Sequence, residues 1–264
     1  MTLGLSSGDI PRQIQENMVA YMRLWAGLPG MATQDDAETF WFVSNQPAPG
    51  NVILRACWTG DDIEGRIDVL FNHIGQHIDN IDWMLVPGDQ PADLGMLLEA
   101  RGMPGGPAGN WLWADLTTLS PGPTVPDNFH IEQVRDDEMM AEWTRISEAG
   151  FGNELSLFYD AYARHGYGPD AFSLHYIGYL DDMPVTSGTL LDAGGCGVVY
   201  DISTPPAFRG QGFGGAITHA LMREIKQRDY ADTWIWSSNM AQSVYRELGY
   251  VDADFGVREH AWRK

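Results

Sequence analysis

The chain is short of cysteine and of positive charge, and each shortage excludes something. Two cysteines, Cys57 and Cys196, lie far apart in 264 residues. They make neither a disulfide framework nor a closely spaced metal-binding pair, which fits a reducing compartment. Sixteen Lys and Arg stand against 36 Asp and Glu, a formal charge of −20. A broad nucleic-acid or anionic-membrane surface needs dense positive charge, so neither is expected as a partner. The acidic excess suits cationic partners or simply solubility. No apolar run approaches a membrane span, and the first residues, Met-Thr-Leu-Gly-Leu-Ser-Ser-Gly-Asp, have no basic region followed by an apolar core. The expected location is the cytoplasm. At 44% hydrophobic and 20% charged residues the composition is that of a globular protein, long enough for one large domain or two ordinary ones.

What is present is concentrated in residues 196–215. Val198, Val199, Tyr200 and Ile202 form a β-prone run, which Pro205 and Pro206 stop because neither can donate to a ladder. Gly210, Gly212, Gly214 and Gly215 follow. Phe213, Ile217, Ala220, Leu221 and Ile225 then recur at helical spacing, with Arg223, Lys226 and Arg228 towards the C-terminal end. Strand, glycine turn and helix is the arrangement that binds a phosphate: N–H groups at a helix start are unpaired, and residues without side chains let an anion reach them. Arg209 adds a positive charge at the mouth.

The glycines also satisfy G-x-G-x-x-G, the dinucleotide fingerprint. That motif opens a long βαβ series, whereas 49 residues follow Gly215 here. It also needs an acidic residue at the end of the second strand, and Asp232 would start that strand. A turn that merely packs a helix on a sheet is the plainer alternative.

Thr204-Pro-Pro-Ala-Phe-Arg-Gly-Gln-Gly-Phe-Gly-Gly215 resembles the acyl-CoA motif of the GNAT (GCN5-related N-acetyltransferase) superfamily. Trp234-Ile-Trp-Ser-Ser-Asn-Met-Ala-Gln-Ser-Val-Tyr-Arg-Glu-Leu-Gly-Tyr250 is similar to that family's next strand and helix. The resemblance implies a mixed-sheet α/β (α+β) fold, the acyl-CoA N-acyltransferase fold, with acetyl-CoA as acyl donor, no metal, and a small-molecule amine as acceptor. A homodimer is compatible with it. It assigns the pyrophosphate to Arg209, Gly210, Gln211, Gly212, Phe213, Gly214 and Gly215, and the pantetheine arm to backbone groups of Ile202, Ser203 and Thr204. The arm would enter between two splayed strands. Tyr245 matches the tyrosine that protonates the departing thiolate, although its helical spacing also suits core packing. Asn239 is a cofactor contact or a helix cap. Asp201, beside the cofactor strand, is a candidate base or a solvated carboxylate.

Along the rest of the chain, periodicity predicts a helix through Ile14, Met18, Tyr21 and Trp25, with Asp9 as its cap. Strands follow at Phe40–Val43 and Val52–Trp58, a helix at Asp61–Ile78, a strand at Ile81–Val86, a helix at Ala92–Arg101 and a strand at Trp111–Leu116. Past 119–128, which holds three prolines and a glycine, the predicted order is β-α-α-β-β-β-α-β-α-β, the last strand lying near Phe255–Trp262. The echo of Ile81-Asp-Trp-Met-Leu-Val in Asp232-Thr-Trp-Ile-Trp-Ser resembles tandem GNAT proteins with a degenerate N-terminal half, giving domains at 1–118 and 127–264. His73 and His77, four apart, are half of a zinc pattern, but no Glu follows His73, and surface histidines are the expectation. The Trp pairs at 111/113 and 234/236 alternate as strand residues do and are expected to pack in the sheet. The function implied is an N-acetyltransferase acting by direct attack. A non-catalytic acyl-CoA binder and a protein acetyltransferase are the alternatives.

Overall fold

Asp136 accepts the Met139 N–H at 2.9 Å, and Gly152, at φ 74°, turns the chain out of the helix that follows. Asp62 caps another helix in the same way, accepting from the Gly65 N–H at 3.0 Å. Such local chemistry sets the element ends in the computed structural model, which describes residues 10–44, 46, 48–168 and 171–264. In chain order the elements are α1 (Ile10–Arg23), β1 (Ala32–Asp35), β2 (Thr39–Val43), β3 (Val52–Ala56), α2 (Ile63–Ile74), β4 (Asn80–Leu85), α3 (Leu94–Glu99), β5 (Gly105–Pro107) and β6 (Asn110–Asp115). They continue with β7 (Phe129–Gln133), α4 (Asp137–Phe151), α5 (Ser156–Ala163), β8 (Ser173–Leu180), β9 (Met183–Ala193), β10 (Cys196–Ser203), α6 (Phe213–Gln227), β11 (Asp232–Ser237), α7 (Gln242–Glu247), β12 (Val251–Asp252) and β13 (Arg258–Arg263). Every element read from periodicity is present. The short strands β1, β5 and β12 were not legible, because an exposed run, a Gly-Gly-Pro and a dipeptide carry no alternation. Asp9 lies outside the described residues. No described helix is long and apolar enough to cross a membrane.

The compact units divide differently from 1–118 and 127–264. One comprises the residues up to Ala108 together with Asp254–Lys264, the other Gly109–Ala253. The expected last strand, β13, pairs antiparallel with β4 from Arg258↔Leu85 to Arg263↔Asn80, and with β5 on its other side. Strand β6 pairs with β11, setting Trp111 opposite Trp236 and Trp113 opposite Trp234. The proline-rich stretch after β6 is therefore internal to the second unit, where His219 Nε2 bonds the Ser120 carbonyl at 2.8 Å. Alternation says which residues face a core, but it does not say which distant strand supplies the ladder.

The first unit is a six-stranded sheet, β1-β2-β3-β4-β13-β5, around Trp41, Ile53, Trp58, Ile67, Leu70 and Trp83. Its parallel pair β3/β4 is laddered at Val52↔Asp82 and Ile53↔Trp83. Beyond the strand ends, Gln90 donates its N–H to the Ala56 carbonyl and accepts from the Trp58 N–H. Nearby, Asp89 is 8% exposed and accepts from Gln15 Nε2 (2.8 Å) and the Val86 N–H (3.0 Å). Burial pushes its carboxyl up to about 6. The folded unit thus holds a proton more tightly than the unfolded chain does. The stability this group contributes is fully present below about pH 4 and is lost as pH rises through about 6. Asp89→Asn, with the Gln15 amide turned over to keep the pair, is expected to raise stability at pH 7 by roughly 1–2 kcal/mol and to flatten the slope between pH 4 and 6. Urea unfolding at pH 5 and pH 7 measures both. A less stable Asn variant at pH 7 would mean the carboxylate's hydrogen bonds outweigh its desolvation.

The second unit has two sheets, β10-β9-β8-β7 and β11-β6-β12, all antiparallel within themselves. On one face α4 meets β9 through the Ser147 and Ser187 hydroxyls, 2.8 Å apart. On the other, α6 lays Ile217 and Leu221 over Gly188, where a side chain would collide with Ile202. Leu112, Leu174, Leu190, Val199, Leu221, Ile225 and Ile235 build the core beneath α6 and α7.

Candidate active site

The two sheets of the second unit meet at β10 and β11, and no ladder pairs these strands. Near their starts the Thr233 hydroxyl donates to the Gly197 carbonyl at 2.8 Å. Further along, β10 is displaced from β9: Tyr200 opposes Thr189 but Ser203 opposes Ser187, so three steps on one strand match two on the other. This bulge carries Asp201 at φ 52°, a left-handed conformation that Asp tolerates better than most residues. The same arrangement buries Ser203. Its hydroxyl donates to the Ser147 carbonyl (3.2 Å), and its own carbonyl accepts from Thr186 (2.8 Å), so its side chain is turned inward and is committed to the protein. Ile202 packs its side chain between Gly188 and Gly214. The Thr204 hydroxyl lies 3.0 Å from that of Thr186.

The glycine turn folds as its composition requires. Gly210 and Gly212 have φ values of 74° and 86°, and Gly212 is the N-cap of α6. The first bond into the helix runs from the Ala216 N–H to the Gly212 carbonyl at 2.9 Å, which leaves the N–H groups of Phe213, Gly214 and Gly215 over at its start. A side chain at Gly214 would press on the Thr204 hydroxyl, and Gly215 lies against Val244 and Pro123. Phe213 anchors the turn from beneath, buried and stacked on Phe129 at 5.0 Å, so only its backbone faces outward. Gln211 is exposed, with its amide on the Ala207 carbonyl. Arg209 is a brace as well as a charge: it donates to the Thr204 carbonyl (2.9 Å) and to the Gly150 carbonyl near the end of α4 (2.7 Å). A passing anion meets three peptide N–H groups and a guanidinium, a set suited to a pyrophosphate.

Tyr245 stands on α7, next to Val244, the residue that faces Gly215. It is 6% exposed within the cluster of Leu112, Ile235 and Leu248, so the core-packing reading of its spacing holds for the ring. Its hydroxyl has no hydrogen-bond partner among the described residues, and burial pushes the phenol up to about 12. Asn239 does not cap α7; the cap position is Ala241. Its side-chain oxygen accepts instead from Asn110 (2.8 Å) and Gln242 (3.3 Å), tying the end of β11 to β6. Trp234 and Trp111 are buried and in edge contact at 5.4 Å, whereas Trp236 is 46% exposed and stacked on Trp111.

Asp201 faces the α4/α5 side, and periodicity did not indicate what it meets there. Tyr162 of α5 donates its hydroxyl to Asp201 Oδ2 at 2.5 Å. Behind Tyr162 lies His175, buried between the hydroxyls of Ser173 (2.7 Å) and Thr189 (2.9 Å) and lowered to about 3 by desolvation, so it is neutral. An inward-facing histidine on β8 with a tyrosine on the preceding helix was the available signal, but it needs the register to be read. Glu154 is exposed.

The family model described as FR47-like protein matches residues 187–260, the stretch from β9 through α7 and into β13. The histone acetyltransferase TAP1 of Glycine max is 28% identical over 64 residues, 24% of this chain and 28% of that protein. The uncharacterized N-acetyltransferase ycf52 of Porphyra purpurea is 27% identical over 71 residues, 27% of this chain and 41% of that one. The matched stretch thus spans less than half of these curated relatives. Likeness in structure runs further. A GCN5-related N-acetyltransferase from Kribbella flavida superposes with a TM-score of 0.64 over 94% of this chain and 95% of that one, at 16% identity. A tandem GNAT protein from the clavulanic acid biosynthesis pathway does so with 0.61 over 100% and 96%, at 13% identity. The chain has the GNAT fold along its length, in tandem form, and carries the GNAT motif in its second unit. In the first unit the Asp62 carboxylate accepts the Gly65 N–H at the start of α2, and Gln90 bonds Ala56 and Trp58 just past the end of β3.

Proposed function

We propose that the protein is an N-acyltransferase that moves an acetyl group from acetyl-CoA to the amine of a small molecule. The observation that carries this reading is the spare N–H cluster of Phe213, Gly214 and Gly215, set at the end of a strand with no ladder on its outer side. In this reading the cluster and Arg209 hold the pyrophosphate, and the arm lies along β10 as a spare strand would, by backbone bonds near Ile202 and Thr204. A peptide N–H at the bulge faces the thioester oxygen and stabilises the charge that builds there on attack. Asp201 takes a proton from the acceptor ammonium, freeing the lone pair that attacks the carbonyl carbon. Tyr245, protonated at every working pH, hydrogen-bonds the departing sulfur. A phenol near 12 is a weaker acid than a thiol near ~8.5, so the proton finally on sulfur is the second one shed by nitrogen, relayed through the tyrosine.

The test is thiol release from acetyl-CoA with spermidine, tyramine, kanamycin, lysine amide and a lysine-containing peptide, beside calorimetry of acetyl-CoA alone. One acetyl-CoA per chain and turnover of at least one small amine are expected. Absence of acetyl-CoA binding, or turnover confined to the peptide, would overturn the reading.

A further inference from the structure

The contact between Tyr162 and Asp201 is more constrained than a surface hydrogen bond. Tyr162 is 1% exposed, and its ring is held on three sides: by Trp143 edge-on at 5.3 Å, by Phe158 at 5.7 Å and by His175 at 4.1 Å. Two of these neighbours are themselves tied down. Trp143 donates to the Gly188 carbonyl at 3.2 Å, on the β9 residue that the bulge spans, and His175 is pinned at both ring nitrogens. The phenol therefore cannot follow a moving carboxylate, so the carboxylate is the group whose position is set. That carboxylate sits on the one residue of β10 with φ above zero, at the bend where the strand leaves its ladder.

We infer that Tyr162 is a positioning residue that fixes Asp201 as the seat for an acceptor arriving as an ammonium ion. The inference rests on the acyltransferase reading above. Held through Oδ2, the carboxylate meets the ammonium in a fixed direction and takes one of its protons. The lone pair so freed forms the N–C bond, and the C–S electron pair leaves with sulfur. The second proton shed by nitrogen ends on sulfur, and Asp201 returns its own to water. A neutral or quaternary acceptor lacks the proton this seat is built to remove.

Among the described residues, titratable groups near Asp201 include Tyr162 from α5, Tyr200 beside it on β10 and, one ring further, His175 from β8. Burial holds Tyr200 well above its ordinary value and His175 near 3, so neither changes charge near neutral pH.

The experiment is a double-mutant cycle of Tyr162→Phe and Asp201→Asn, read as the pH profile of kcat/KM for the fastest of the four small amines, with acetyl-CoA affinity and thermal melting alongside. Tyr162→Phe keeps the ring and removes a hydrogen bond that favours the ionised carboxylate. Its acid limb should move up by about one pH unit and its neutral-pH rate fall about tenfold. A ¹³C carboxyl NMR titration of Asp201, which needs no acceptor, should show the same rise. Asp201→Asn should abolish the limb and lower the rate by about 10²-fold or more, and adding Tyr162→Phe to it should change nothing further. Acetyl-CoA affinity should stay within about threefold throughout. An unmoved limb with intact acetyl-CoA binding, or losses that multiply in the double variant, would overturn the inference alone. Failure of the unmodified chain to bind acetyl-CoA would overturn the acyltransferase reading and the inference together.

Discussion

Tyr245→Phe is expected to lower kcat by about 10²–10⁴ while leaving acetyl-CoA affinity within a few-fold. The ring packs against Leu112, Ile235 and Leu248, and Phe fills that space equally well. The hydroxyl bonds no described residue, so removing it breaks no internal hydrogen bond and the Phe variant should fold about as stably. Packing thus predicts a neutral change, whereas the chemistry predicts a large one. Because burial holds the phenol at about 12, its loss should scale the rate at every pH below about 11 without moving a limb. Steady-state rates from pH 6 to 10, with calorimetry for the cofactor, separate the cases. Unchanged turnover would leave Tyr245 as a core residue, with another group or water donating the proton. A fall in affinity equal to the fall in rate would make the hydroxyl a cofactor contact.

Gly212→Asp is expected to abolish acetyl-CoA binding, a loss of at least about 10³ in Kd if two or more charge-assisted N–H contacts are forfeited. Three effects add at this position. The backbone stands at φ 86°, a new Cβ would lie 3.3 Å from the Thr124 carbonyl, and a carboxylate would compete for the N–H groups of the first turn. The first unit carries a comparable contact, where Asp62 accepts the Gly65 N–H at the start of α2. Gly212→Ala shares the strain but not the charge and isolates the electrostatic part: it should weaken binding by about tenfold. Calorimetry should then give one site in the unmodified chain and none in the Asp variant. Binding by the Asp variant, or two sites in the unmodified chain, would contradict the assignment of the cofactor to the second unit alone.

Residues 196–215 and 234–250 were enough to locate the turn, its helix and the tyrosine, because each depends on neighbours close in sequence. Glycines at positions that need positive φ, prolines that cannot join a ladder and apolar residues three and four apart act within one or two turns of chain. The caps Asp136 and Asp62 act over the same short range, each accepting an N–H three residues on. The cap alternative for Asn239 is the local reading that failed. A side-chain partner on β6, Asn110, competes for it, and the helix begins later.

Pairing between distant segments was decided only by the tertiary structure. The sequence by itself determined the class of fold and the glycine turn at 210–215 that opens α6. It did not determine that β13 completes the first unit's sheet and β6 the second's, since Trp111-Leu-Trp and Arg258–Arg263 alternate acceptably against more than one partner. Nor did it bring Tyr162, 39 positions away, onto Asp201. That contact needs a bulge to turn the aspartate out and a helix laid across the same face to meet it. Both follow from packing free energy summed over the whole unit, which no window of neighbouring residues contains.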